Sequence, residues 1–123
     1  MAMALNIIKA GFELTGFDLR SERLDMIESA GGNRADSPAA VGAASDVVFI
    51  MVMTGKQTEE ILSGEGGLLE TMKPGSTIIL TATIQPSEAR RVSEAVFAAG
   101  LNMIDSPVSG GKAGADAGTL ALM

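Results

Sequence analysis

The stretch Asp46-Val47-Val48-Phe49-Ile50-Met51-Val52 runs straight into Met53-Thr54-Gly55-Lys56-Gln57. The first part is apolar at odd and even positions alike. That is how a strand reads when both faces of a parallel sheet are covered. The second part sets a threonine three residues before a glutamine, the spacing of a capping box. A central strand is therefore expected over 46–52, followed by a helix to about residue 62.

The same alternation extends outward in both directions. Toward the amino end, 1–10 reads as a helix with Leu5 and Ile8 on one face, Met1 and Ala4 at its edge, and Gly11 as its stop. No capping residue precedes it, so the helix begins in its middle. Residues 12–17 read as a strand ending at Asp18. Residues 21–29 read as a helix with Leu24 and Ile27 inward, closed by Gly31-Gly32. A very short strand fits 33–35, and Ser37-Pro38 is an N-cap with proline at the first helical position.

Toward the carboxyl end, 64–67 is loop, 68–72 a helical turn, and Lys73-Pro74-Gly75 a turn. Residues 77–80 read as a strand. Gln85-Pro86 opens a helix with Ala89, Val92, Val96 and Ala99 inward, stopped by Gly100. A strand over 101–105 empties into Ser106-Pro107-Val108-Ser109-Gly110-Gly111. Residues 112–118 are small and helical or loop-like, and 120–123 resemble the start of a strand. Strand and helix alternate with apolar strands throughout, so the fold class is α/β, a doubly wound parallel sheet.

Composition narrows the chemistry. At 123 residues the chain is one domain, and 46% hydrophobic residues are enough to bury a core. It has no cysteine and no histidine. Disulfides, thiolate nucleophiles, Ser-His-Asp triads and His- or Cys-ligated metals are therefore absent, and a cytoplasmic home is expected. A net charge of -6, with no Trp or Tyr, argues against a nucleic-acid partner. The apolar runs are too short for a bilayer, and no export signal opens the chain, so no membrane partner is expected. Proton transfer is left to the carboxylates and to Lys9, Lys56, Lys73 and Lys112.

In this architecture ligands gather at the carboxyl ends of the strands. The loops there are 18–20, 51–54, 81–84 and 106–111. Gly110 and Gly111 allow the backbone to turn its N–H groups toward one point, which suits a carboxylate or phosphate. Ser109 adds a hydroxyl that donates and accepts. An acid at the end of the second strand of a dinucleotide unit can bind both hydroxyls of an adenosine ribose, and Asp18 stands there. Arg20 can face a 2′-phosphate, stack on adenine, or sit in solvent. The acid at 18 repels a phosphate, so NAD is favoured over NADP. From the residues alone, the reading stops at a nucleotide-binding α/β domain.

Taken in order, several segments resemble the cofactor domain of the β-hydroxyacid dehydrogenases, the 3-hydroxyisobutyrate dehydrogenase family. They are Met3-Ala4-Leu5-Asn6 with Lys9-Ala10-Gly11, Gly16-Phe17-Asp18, Gly64-Glu65-Gly66-Gly67-Leu68, Lys73-Pro74-Gly75-Ser76, Thr83-Ile84 with Pro86, Asp105-Ser106-Pro107-Val108-Ser109-Gly110-Gly111, and Ala117-Gly118-Thr119-Leu120. The D-x-P-V-S-G-G loop is the most specific of them. The resemblance implies a Rossmann-like fold and an NAD-dependent oxidoreductase, with NADP as the alternative cofactor. The implied substrate is a small β-hydroxyacid or its semialdehyde. By position it implies that Ser109, Gly110 and Gly111 hold substrate, and that Thr83 lies by the nicotinamide. Met51 and Val52 pass under a ribose, Asp18 with Arg20 meets the adenosine ribose, and Gln57 lies on the adenine side. Asn6 and Met3 are expected to pack rather than to bind.

Three departures qualify it. The family opens with a strand and a G-x-G-x-x-G loop, and this chain starts just after the third glycine. The family's catalytic lysine lies in an all-helical part beyond Met123, so no catalytic residue is expected in 1–123, and Lys112 is expected to be a surface lysine. Leu80 and Ala82 stand where an acid and a hydroxyl residue are frequent. Residues 1–123 are thus expected to be a partial dinucleotide-binding domain, truncated at both ends and inactive by itself. The missing first strand should leave the inner edges of 12–17 and 46–52 unpaired, a gap that must collapse, borrow a strand, or weaken the domain. The alternative is a non-catalytic α/β module that pairs through its open sheet edge, as a homo-oligomer or with another chain. A phosphogluconate-type dinucleotide enzyme is a third reading.

Overall fold

The computed structural model describes residues 1–123. Its elements are α1 (Ala2–Lys9), β1 (Thr15–Gly16), α2 (Ser21–Ser29), β2 (Asn33–Arg34), α3 (Pro38–Ala44), β3 (Val47–Ile50), α4 (Gly55–Ser63), a short 3-10 helix (Leu68–Glu70), β4 (Thr77–Leu80), α5 (Pro86–Ala98), β5 (Asn102–Asp105), β6 (Val108–Ser109), α6 (Gly111–Ala117) and β7 (Ala121–Leu122). The α/β class and the alternation follow the sequence reading.

Local chemistry accounts for the helix starts. The Ser37 hydroxyl accepts from the Ala40 amide at 3.1 Å, and Pro38 supplies the fixed φ of the first turn. The Thr54 hydroxyl accepts from the Gln57 amide at 3.2 Å, and Gln57 Oε1 accepts back from the Thr54 amide at 3.2 Å. Two orphan donors of α4 are thereby satisfied reciprocally. Glu88 does the same for the start of α5, accepting from the Gln85 amide at 2.9 Å.

The strands form separate sheets. β3, β4 and β5 pair in parallel in that order, with Phe49, Ile79 and Ile104 in one row and Ile50, Leu80 and Asp105 in the next. β1 and β2 form a parallel pair of their own, and β6 and β7 an antiparallel one. One face of the three-stranded sheet is packed by α4, α5 and the 3-10 helix. There Val48, Ile50, Ile78 and Leu80 meet Leu62, Leu68, Val92 and Val96 in the main core.

Two expectations are corrected. The strand over 46–52 is not central and not covered on both faces. β3 is the edge of its sheet, and its side chains alternate exposed and buried, with Val47 51% and Phe49 41% exposed. The cause is the neighbour: no strand of residues 1–123 pairs with its outer edge. The strand over 12–17 shrinks to Thr15–Gly16 for the same reason, since only β2 supports it. Along α5, Val92 and Val96 are fully buried, whereas Ala89 and Ala99 are half-buried. The gap between β1 and β3 has not collapsed. It is a cavity of about 930 Å³ lined by residues of α1, α3, α4, α6 and the 3-10 helix as well as of the two strands.

Candidate functional site

The loops that follow β3, β4 and β5 share one end of a parallel sheet, so residues far apart in sequence come together there. Their ends are tied by backbone and hydroxyl bonds. The buried Thr81 hydroxyl donates to the Ile50 carbonyl at 2.8 Å, and the Ser106 amide donates to the Leu80 carbonyl at 2.8 Å. The loop after β1 faces the same cavity as the loop after β3. Asp18, Met51, Val52 and Gly111 all line it. Of the residues singled out from sequence, these four are brought together.

Asp18 is the most developed polar group of the site. Its Oδ1 accepts from the Arg20 amide at 2.9 Å, and its Oδ2 accepts from Arg23 Nη1 at 3.1 Å. Burial disfavours the charge, and it is the largest single influence. The Arg20 amide and the Arg23 guanidinium together outweigh it, so the carboxyl is held below its ordinary value. The group is ionised at neutral pH. Each oxygen accepts one bond and keeps capacity to accept another, which fits the two adjacent hydroxyls of a ribose. Arg23 was not singled out from sequence. The available signal was its place in the first turn after Asp18, where a cation reaches back to an acid that precedes the helix.

The other candidates lie outside the cavity wall. Arg20 and Thr83 are exposed, on the loops after β1 and β4. Gln57 Oε1 accepts from the Met53 amide at 2.9 Å as well as from Thr54, so its carbonyl oxygen is committed to the cap of α4. Ser109 and Gly110 follow β5, on β6 and its turn, and both are exposed. Gly110 and Gly111 have φ of 127° and 59°, the backbone region where glycine is favoured. They carry the chain from β6 directly into α6. Lys112 lines the cavity but its side chain is exposed and pairs with Asp116, which raises its pKa. It is a surface lysine, as expected. Asn6 packs α1 on α6, its Nδ2 donating to the Ala115 carbonyl at 2.8 Å.

The family model for the NAD binding domain of 6-phosphogluconate dehydrogenase matches residues 1–123. The chain belongs to this family. Among relatives of this NAD-binding domain, L-threonate dehydrogenase of Cupriavidus necator is 39% identical over 121 residues, covering 98% of this chain and 41% of the relative. The 3-hydroxyisobutyrate dehydrogenase of Pseudomonas aeruginosa is 38% identical over 121 residues, with the same coverage of 98% and 41%. The crystal structure of 3-hydroxyisobutyrate dehydrogenase from Salmonella typhimurium superposes with a TM-score of 0.92 at 30% identity, covering 99% of this chain and 42% of that one. The resemblance to the β-hydroxyacid dehydrogenases is borne out along the whole chain, and so is the Rossmann-like fold. The chain spans about two fifths of the length of these relatives. No helix is long and apolar enough to cross a membrane.

Proposed function

We propose that this chain is the cofactor-binding part of an NAD-dependent dehydrogenase acting on a small β-hydroxyacid or its semialdehyde. One observation carries the reading: an ionised Asp18, at the end of β1, opens on a cavity that Met51, Val52 and Gly111 also line. A carboxylate there accepts from both ribose hydroxyls and repels a 2′-phosphate, which favours NAD over NADP. Bound NAD supplies the hydride-accepting ring, and this chain's residues bind and orient it. Met51 and Val52 support the ribose, Thr83 lies beside the nicotinamide, and Arg20 flanks the adenine. Gln57 is the weakest of these, because its carbonyl oxygen is already used.

Ser109, Gly110 and Gly111 would hold the substrate carboxylate and hydroxyl. The catalytic lysine lies beyond Met123 in a helical domain, and 1–123 is the partial dinucleotide-binding domain. The relatives' greater length supports that division. The lack of cysteine supports a cytoplasmic setting, and the open strand edges support self-association as a homo-oligomer. The test is isothermal titration of NAD and NADP into this sequence carrying a strand and glycine-rich turn ahead of Met1. NAD should bind at least tenfold more tightly than NADP, and Asp18→Ala should erase the preference. Absence of binding by either nucleotide would overturn the reading.

A further inference from the structure

We infer that Asn6 is a positioning residue: its bond to α6 sets where the Ser109–Gly111 turn stands against the cofactor side of the cavity, and so governs how tightly the hydroxyacid is held. The inference rests on the dehydrogenase reading above and adds to it a residue that acts through another element. Its basis is the way residues 107–123 are attached. They form β6, α6 and β7, and their hydrogen bonds close on themselves. Val108 and Ser109 pair with Leu122 and Ala121, the Met123 amide donates to the Pro107 carbonyl at 3.0 Å, and the Thr119 amide donates to the Gly114 carbonyl at 2.8 Å. Lys112 pairs with Asp116 inside α6. One hydrogen bond leaves the segment: Asn6 Nδ2 donates to the Ala115 carbonyl at 2.8 Å, across 109 positions of sequence.

The place of that bond gives it leverage. α6 runs from Gly111 to Ala117, so the Ala115 carbonyl is one of the last four, which lack a partner within the helix. The Gly118 amide reaches it only at 3.3 Å, and Asn6 supplies the shorter bond. A helix of seven residues is not stable alone, so its direction follows from what it docks on. Its first residue is Gly111, and the same direction therefore aims the turn that would hold substrate. That turn has little of its own to fix it. Ser109 and Gly110 are exposed, and the two glycines stand at φ of 127° and 59°. α1 supplies the fixed point. Met1, Met3, Ala4 and Ile7 line the cavity, and Ile8 lies against Gly32, where an added Cβ would stand 2.9 Å from its Cδ1. α1 is thus seated on the half that carries Asp18. Packing alone would let α6 slide along α1. A hydrogen bond fixes one register, because a shift of one turn, about 5.4 Å, breaks it.

The test replaces Asn6 in the intact polypeptide that carries residues 1–123. Asn6→Ala removes the donor and keeps a strong helix former in α1. Asn6→Asp keeps the shape but presents only acceptors to the Ala115 carbonyl. The probes are NAD and a series of small β-hydroxyacids, 3-hydroxyisobutyrate first. Both variants should raise KM for the hydroxyacid about tenfold, with kcat and the Kd of NAD within about twofold of wild type, because binding lost equally in ground and transition states appears in KM. The Gly114 and Thr119 amides should exchange faster in both, with those of β4 unchanged. A role in folding alone would lower kcat through the active fraction and leave KM in place. A wild-type KM in Asn6→Asp would mean packing, not donation. Either result, or unchanged exchange in α6, overturns the inference and leaves the dehydrogenase reading standing. If the wild type turns over none of the series, that reading falls, and the role of Asn6 falls with it.

Discussion

The two parallel sheets of this chain obey the same strand–helix alternation but are filled to very different degrees. Around β3, β4 and β5, Leu62, Leu68, Ile78, Leu80, Val92 and Val96 are almost completely removed from water. Around β1 and β2 the buried apolar side chains are Leu24, Ile27 and Ala35, and Phe12 is 69% exposed. A two-residue strand pair contributes little ladder, and the cavity takes the place of the core that would support it. The half carrying Asp18 is therefore the less densely packed half. A ligand that ordered it would cost least stability elsewhere.

The largest test of this contrast is truncation in each half. Leu80→Ala should cost about 2–5 kcal/mol, because Leu80 is fully enclosed between sheet and helices. Ile27→Ala should cost clearly less in the same urea titration, since the cavity already removes part of its surroundings. Equal losses would mean that the two halves unfold as one unit and that the contrast is only visual.

Gly42 sharpens the boundary between the halves. It is buried where α3 packs on the 3-10 helix. A Cβ there would sit 2.6 Å from Thr71 Oγ1 and 3.1 Å from the Leu68 carbonyl. The Thr71 hydroxyl is engaged as well, donating to the Ala39 carbonyl at 2.6 Å. Gly42→Ala should therefore destabilise by about 1–3 kcal/mol, the usual range for overpacking. The loss should be read in the urea midpoint, with exchange rising at the Thr71 and Met72 amides. A midpoint unchanged or raised by the substitution would show that α3 can move off the 3-10 helix freely, placing α3 with the loose half.

What the sequence encodes locally was legible, whereas what depends on a neighbour was legible only through the family resemblance, which expected the unpaired inner edges of 12–17 and 46–52 that the structure shows. The bounds of α2, the cap at Ser37, the box at Thr54 and Gln57, and β4 all follow from residues within one or two turns of each other. The reading of 46–52 as central failed because its apolar pattern says which side chains can be buried, not whether a strand lies beside it. Residues 12–17 failed in the same way, as pairing beyond Thr15 and Gly16 would need a partner on the cavity side. At the site, the position of Asp18 was legible from its place after a strand. Its clamp by Arg23 depends on the angle between β1 and α2, which no spacing states. Gln57 shows the reverse, because its capping role was legible and already committed the oxygen that a ligand would use.

A cap is a smaller lever, and it sits in the well-packed half. Thr54→Ala removes the acceptor for the Gln57 amide and should cost about 1 kcal/mol, with Thr54→Ser restoring most of it. Urea titration reads the loss globally if α4 belongs to the same cooperative unit as β3–β5. A fraying of α4 seen only in exchange, with no change in the midpoint, would detach α4 from that unit.

The smallest expected effect is also the most local. Asp18 has a folded-state pKa below its ordinary value, so its contribution is present above the ordinary carboxylate range and is lost as pH falls through the folded value. Asp18→Asn removes that contribution at neutral pH, and wild type and variant should converge on acidification. Because Asp18 lies beside the hollow half, the difference should appear as faster exchange of the Asn33 and Ala35 amides, which hold β2 to β1 at 2.8 and 2.9 Å. The global midpoint, set by β3–β5, should stay in place. If the midpoint moved with pH and the substitution abolished that movement, Asp18 would be coupled to the main core. The two sheets would then be coupled energetically across the cavity between β1 and β3.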